Sequence, residues 1–113
     1  MPYIDTKVSV SISKEKEEKI KARLGDAVSI LGKGETYLMV GFQDNYRLYF
    51  AGKNDKPLAF VEVKLLGKCS REQYVRMTGE ICNILKEELG IPGDGVYVKY
   101  EEVTHWGFNG SNF

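Results

Sequence analysis

Few side chains in this sequence are of types that bind metals or act as catalytic groups. Their spacing excludes most of the metal, thiol and carboxylate sites that such residues could form. His105 stands alone, without the cysteine or acidic neighbours that a metal site needs. Cys69 and Cys82 form no Cys-x-x-Cys pair, so two reduced thiols are expected. Glu101 and Glu102 are adjacent in a predicted strand, where neighbouring side chains point to opposite faces. The sequence therefore predicts no metal site, no paired carboxylates and no cofactor.

Pro2 offers a different chemistry, because removal of Met1 would leave its ring nitrogen as a free secondary amine. An ordinary α-amino group titrates near ~8, and burial beside a cation would bring this pKa down toward neutrality. A neutral amine could take a proton from a carbon beside a carbonyl and then return it. Alternatively, Pro2 only begins a strand, where a missing N–H group costs little. If Met1 is retained, the proline nitrogen is an amide and is not basic.

The elements that position these residues form two similar halves, about 1–56 and 57–113. In the first half, apolar residues alternate from Ile4 to Ile12, which predicts a strand with one buried face. Ser13 is a suitable N-cap for the amphipathic helix that follows, and Gly32 suits its end. The charged run 14–19 predicts a solvated helix face with Glu15–Lys19 and Glu17–Lys21 pairs. Strands are then predicted at 37–42 and 46–50, joined by a turn.

The second half repeats this order. A strand at 58–66 precedes a capping box formed by Ser70 and Gln73, and the helix that follows ends at Gly90. A further strand is predicted at 96–103, before a glycine-containing tail. Two βαβ units predict one α+β domain with a mixed four-stranded sheet and both helices on one face.

The second face of this sheet would have no helix to cover it. Apolar residues occur on both faces of the predicted strand 58–66, with Leu58, Phe60 and Leu66 on the uncovered side. Because exposed apolar patches mark contact surfaces, another copy of the chain is the simplest cover. The sequence therefore predicts a homo-oligomer.

Composition excludes several classes of partner. Sixteen basic and sixteen acidic residues balance, so no general attraction to nucleic acid or membranes is expected. RNA-recognition domains share the βαββαβ order, but 96–100 is a poor match to their basic-aromatic stretch. No signal peptide or membrane span is predicted, which favours a cytoplasmic location, with leaderless secretion as an alternative.

Three features together carry a resemblance to a known family. They are the Met1-Pro2 start, Gly32-Lys33 after the first helix, and the tail Trp106-Gly-Phe-Asn-Gly-Ser-Asn-Phe113. In combination they resemble the macrophage migration inhibitory factor family of the tautomerase superfamily. The resemblance implies a homotrimer of tandem βαβ units with active sites at subunit interfaces. It also implies cofactor-free keto–enol tautomerisation of a small α-keto acid such as phenylpyruvate.

The resemblance assigns roles to individual residues. Pro2 matches the catalytic proline, Lys33 the lysine that binds the substrate carboxylate, and Leu66 a residue whose backbone fixes the substrate. Tyr97 matches a tyrosine that reaches the pocket from the neighbouring subunit. The remaining candidates for substrate binding are Tyr37, Lys64, Lys99, Trp106, Phe108 and Phe113.

Several positions depart from the vertebrate members. Lys64 stands in place of histidine, and Lys99 in place of asparagine on the strand face that also carries Tyr97. Lys99 would lower the pKa of the Pro2 amine and favour anionic substrates, or would extend into solvent. The Cys-x-x-Cys positions are Leu58 and Val61, so thiol–disulfide exchange is not implied. An alternative function is a cytokine-like signalling protein whose outer surface binds a receptor and whose pocket is vestigial.

Overall fold

The computed structural model describes residues 1–113. Its two helices are α1 (Lys14–Ala27) and α2 (Arg71–Leu89), and a 3₁₀ turn at Val28–Leu31 extends α1. The six strands are β1 (Pro2–Val8), β2 (Met39–Gln43), β3 (Ala59–Leu66), β4 (Val96–Val103), β5 (Gly107–Phe108) and β6 (Ser111–Asn112). Neither helix is long and apolar enough to cross a membrane.

The main sheet has the strand order β2-β1-β3-β4. β1 is parallel to β2 and antiparallel to β3, and β3 is parallel to β4. Each parallel pair is connected through one helix, as a parallel connection requires. The prediction of a mixed four-stranded sheet built from two βαβ units is confirmed.

The core lies between this sheet and the two helices. Alternate residues of β3, at Val61 and Val63, are fully buried and meet Ile20 of α1 and Ile81 of α2 in one apolar cluster. Burying a side chain of this size contributes roughly 1.5–3 kcal/mol. The period of two in the strands and the helical spacing of the stripes therefore place both helices on the same sheet face.

Local hydrogen bonds set where α2 begins. The Ser70 hydroxyl accepts from the Gln73 backbone N–H at 3.1 Å, and the Gln73 side chain accepts from the Ser70 N–H at 2.8 Å. The predicted capping box is thus present. At the other end, Gly90 takes a left-handed φ of 69° that side chains disfavour.

Removing this cap should weaken the fold measurably. We expect Ser70→Ala to lower the free energy of unfolding by about 1 kcal/mol, because the Gln73 N–H loses its acceptor. Urea unfolding followed by circular dichroism measures this difference. Ser70→Asp, which keeps an acceptor at the cap, is the matched control and should stay close to wild type. Equal losses in both variants would show that the cap contributes nothing.

Three predicted elements differ from the structure. No strand forms at 46–50, because Asn45 and Tyr46 donate their N–H groups to Val10 and Val8 instead of folding back on β2. β1 ends at Val8 rather than at the predicted Ile12, because its pairing with β3 ends there. The predicted 37–42 strand begins only at Met39, since a turn bond from Leu38 to Glu35 precedes it.

The uncovered sheet face is more polar than predicted. Phe60 and Tyr97 lie on it, together with charged residues from β1, β3 and β4. Asp5 and Lys7 pair at 2.6 Å, and Lys99 and Glu101 at 2.8 Å. Phe60 and Leu66 lie on this face as predicted, but the two β3 residues that alternate with them, Glu62 and Lys64, are charged. Leu58 precedes the strand and is buried.

The charged face of α1 also differs in one detail. Glu15 and Lys19 pair at 3.5 Å as predicted. Lys21, however, lies 2.7 Å from Glu18 rather than beside Glu17. These exposed pairs contribute little to stability.

Candidate active site

A cavity of about 600 Å³ opens at the end of the sheet where β1 begins. Its size suits a small organic ligand. Apolar and aromatic side chains form most of the wall, and Lys64 is the only charged side chain on it. The lining residues are Met1, Pro2, Tyr3, Thr36, Tyr37, Leu38, Met39, Lys64, Trp106, Gly107, Phe108 and Phe113.

Pro2 is buried at the start of β1, between the neighbouring strands of the sheet. It lies opposite Leu65 in the antiparallel pairing with β3. A proline is tolerated here because it is the first residue of the strand. The strand therefore positions the proline ring in the wall of the cavity.

The start of the chain lies in an environment that disfavours positive charge. Burial lowers the pKa of the Met1 amino group below its ordinary value, and the nearby charge of Lys33 lowers it further. With Met1 removed, the amine would belong to Pro2, one residue along the chain. The same burial and the same lysine would then act on the proline nitrogen.

Lys33 follows the 3₁₀ turn and reaches across to β3. Its ammonium donates a hydrogen bond to the Leu66 carbonyl at 3.1 Å. Gly32, with a left-handed φ of 71°, redirects the chain just before it. Two of the sequence-predicted site residues, Lys33 and Leu66, are thus in direct contact, although neither is among the residues that line the cavity.

The turn that carries Lys33 is braced by the beginning of the second helix. The Gln73 side-chain amide donates to the Ile30 carbonyl at 3.2 Å. The Cys69 thiol donates to the Leu31 carbonyl at 3.3 Å. These bonds connect the capping box of α2 to the position of Lys33.

The chain end supplies the aromatic wall. β5 and β6 form a hairpin whose two turn residues, Asn109 and Gly110, have φ values of 53° and 78°. Both φ angles are positive, as in the type I′ turn that Asn-Gly favours. The Asn-Gly pair is a strong hairpin signal, and the glycine-containing tail predicted from sequence is a hairpin in the structure.

Three rings pack together in that wall. Phe108 and Phe113 stack with their centroids 5.5 Å apart. Tyr37 meets them edge-on at 5.4 and 5.2 Å. The Trp106 carbonyl accepts a hydrogen bond from the Phe113 N–H at 3.0 Å, which joins the base of the hairpin. Aromatic edges and faces of this kind suit a flat, apolar ligand.

Tyr97 and Lys99 are not brought to this cavity in the single chain. Tyr97 lies opposite Phe60 of β3, whereas Pro2 lies opposite Leu65. Phe60 and Leu65 are five residues apart along β3, a distance of roughly 17 Å. Lys99 instead pairs with Glu101, and this hydrogen bond raises the pKa of Lys99.

The cavity also includes residues that sequence reasoning missed. Tyr3 and Met39 are cross-strand neighbours in its wall, and Thr36 and Leu38 lie in the turn that precedes β2. Tyr3 could have been found from its position, since it follows Pro2 on the same strand. The others come to the site only through the parallel pairing of β1 with β2.

Comparison with known proteins agrees with this architecture. The crystal structure of Leishmania major MIF2 is similar to this chain with a TM-score of 0.93 and 35% identity, covering 100% of this chain and 97% of that chain. A macrophage migration inhibitory factor homologue from Prochlorococcus marinus has a TM-score of 0.89 and 30% identity, with 98% of each chain covered. The mouse macrophage migration inhibitory factor is 31% identical over 84 residues, 73% of this chain and 72% of its own length.

The sequence profile of one protein family covers residues 1–113. Its description is "Macrophage migration inhibitory factor (MIF)". Together with the shared fold, this match shows that the chain belongs to the macrophage migration inhibitory factor family of the tautomerase superfamily.

Proposed function

We propose that this protein is a cofactor-free keto–enol tautomerase that acts on α-keto acids of the phenylpyruvate type. The observation that carries the proposal is the position of the chain start. It lies partly buried in an apolar cavity beside Lys33, and both features lower the pKa of the terminal amine. A basic group whose pKa approaches the working pH is suited to general acid–base catalysis.

The proposed reaction moves one proton within the substrate. The neutral Pro2 amine removes a proton from C3, and the electron pair of that C–H bond forms the C2–C3 double bond. The carbonyl π electrons pass to the oxygen on C2, which then takes the proton from the Pro2 ammonium. The enzyme ends with a neutral amine, so atoms and charge balance without any cofactor.

Binding residues orient the substrate for this transfer. The Lys33 ammonium, which bonds to the Leu66 carbonyl and lies near enough to the terminal amine to lower its pKa, would pair with the substrate carboxylate. The ring group of the substrate would lie against Tyr37, Phe108 and Phe113, and Trp106 lies at the same wall. Fixing both ends of the substrate brings C3 next to the Pro2 amine. This orientation supplies most of the rate acceleration that substrate binding can give.

The assembly forms part of the proposal. Tyr97 and Lys99 lie too far from Pro2 of their own chain to touch the same substrate. In a homotrimer they would instead complete the cavity of a neighbouring copy. Lys99 would then add positive charge near the amine, although in the single chain Glu101 neutralises it.

The proposal is tested with protein of known amino terminus. Intact-mass spectrometry separates chains that begin at Pro2 from chains that keep Met1. We expect the processed form to catalyse phenylpyruvate tautomerisation, followed by the absorbance of the enol, and the Met1 form not to. A processed form without activity would contradict the proposal. It would favour the alternative of a signalling protein with a vestigial pocket.

A further inference from the structure

Lys64 has no strong partner in this structure. It is the one charged side chain on the wall of the cavity, and no acidic residue lines that wall. Its ammonium donates no hydrogen bond within the chain, and its nearest carboxylate, Glu62, lies 3.9 Å away. Glu62 already accepts a hydrogen bond from Lys7 at 3.3 Å. A cation in this position is available to an anionic group in the cavity.

The neighbouring strand holds this ammonium at the cavity. Tyr3 lies directly opposite Lys64 in the β1–β3 pairing, and the ammonium lies 5.9 Å from the centre of its ring. This distance is within the range of cation–π attraction. Gly41 leaves room for the tyrosine, since a Cβ atom there would lie 3.0 Å from the Tyr3 hydroxyl. The Tyr3 ring and the space at Gly41 thus favour one position of Lys64.

Two lysines thereby flank the catalytic proline. Leu65 lies opposite Pro2, and its neighbours Lys64 and Leu66 both project to the other face of β3. The Leu66 carbonyl holds the Lys33 ammonium. The Lys64 ammonium therefore lies on one side of Leu65 along β3, and the Lys33 ammonium lies on the other side, at Leu66. A substrate bound across Pro2 would meet positive charge at both of its ends.

We infer that the preferred substrates are 2-oxo dicarboxylates, with the carboxylate next to the ketone on Lys33 and the distal carboxylate on Lys64. This inference rests on the proposed tautomerase function and, within the α-keto acids, ranks diacids above monoacids of the phenylpyruvate type. A monoacid leaves Lys64 without a partner in the cavity, whereas a diacid gains a charge-assisted hydrogen bond there. Such a bond gives a preference of about tenfold or more.

A matched pair of six-carbon acids tests this. Proton exchange at C3 is followed by NMR in deuterated buffer for 2-oxohexanoate and 2-oxohexanedioate, which differ in the distal carboxylate. We expect wild-type protein to favour the diacid in kcat/KM by at least tenfold. Lys64→Gln should lower that ratio to near one, and Lys64→Arg should retain most of it. Lys68→Gln, an exposed lysine beyond β3, is the control and should keep the wild-type ratio.

A binding measurement separates this inference from the proposed function. Trp106 is the only tryptophan and lines the cavity, so its fluorescence reports ligand entry without turnover. If neither acid exchanges but the diacid binds in a Lys64-dependent manner, the tautomerase proposal fails and the ligand class stands. If both acids exchange at equal rates, or Lys64→Gln leaves the ratio unchanged, the assignment of the distal carboxylate to Lys64 is overturned while the tautomerase function stands.

Discussion

Replacing Pro2 by glycine is expected to lower kcat/KM for phenylpyruvate tautomerisation by about 10²–10⁴-fold, the usual contribution of a positioned acid–base group. Glycine leaves a primary amine on a flexible residue in place of a ring nitrogen held at the start of β1. The amine would then spend little time at the position from which it can reach C3. The measurement is the initial rate of enol formation with processed wild-type and variant protein.

Two controls make this result decisive. Intact-mass spectrometry must show that Met1 is absent from both proteins, because a retained methionine would block either nitrogen. Thermal unfolding by circular dichroism must show that the glycine variant is folded. Equal rates for two folded proteins that both lack Met1 would remove Pro2 from the mechanism.

Replacing Lys33 by glutamine is expected to act in two ways. It should lower kcat/KM by roughly 10–100-fold, mainly through a higher KM, because the substrate carboxylate loses a charge-assisted hydrogen bond. It should also move the pH profile. The charge of Lys33 lowers the pKa of the terminal amine in the structure, so its removal raises that pKa.

The sign of the pH effect follows from which form of the amine is active. Only the neutral amine accepts a proton, so kcat/KM rises as pH increases through the amine pKa. A higher pKa therefore moves the rising limb of the profile to higher pH in Lys33→Gln. Lys53 is an exposed lysine in another loop, so Lys53→Gln should change neither KM nor the pH at which kcat/KM rises. An unshifted limb together with an unchanged KM in Lys33→Gln would exclude contact between Lys33 and the substrate.

The local elements of this fold were predictable because they depend on residues close together in the chain. The alternation in 58–66 places β3 within one residue, and the predicted strand 96–103 coincides with β4. Ser70 and Gln73 are three positions apart, so their capping box can be predicted from sequence spacing. Two amphipathic helices between strands then predict a sheet with helices on one face.

Features that depend on distant partners were predicted less well. The 46–50 segment has strand-forming residues, but Asn45 and Tyr46 bond to the end of β1 instead. The uncovered sheet face contains charged residues from β1, β3 and β4, and their pairing appears only when the strands are side by side. Sequence patterns record which residues share a face, but not which strand lies next to another.

The candidate site shows the same division. The sequence alone determined that Pro2 begins a strand, that a lysine follows the first helix and that aromatic residues end the chain. Only the tertiary structure decided that Lys33 reaches the Leu66 carbonyl, that Lys64 faces the cavity beside Tyr3 and that Tyr97 lies far from Pro2. The physical reason is that residue type and local spacing set the secondary structure, whereas strand order and register set the distances between remote side chains.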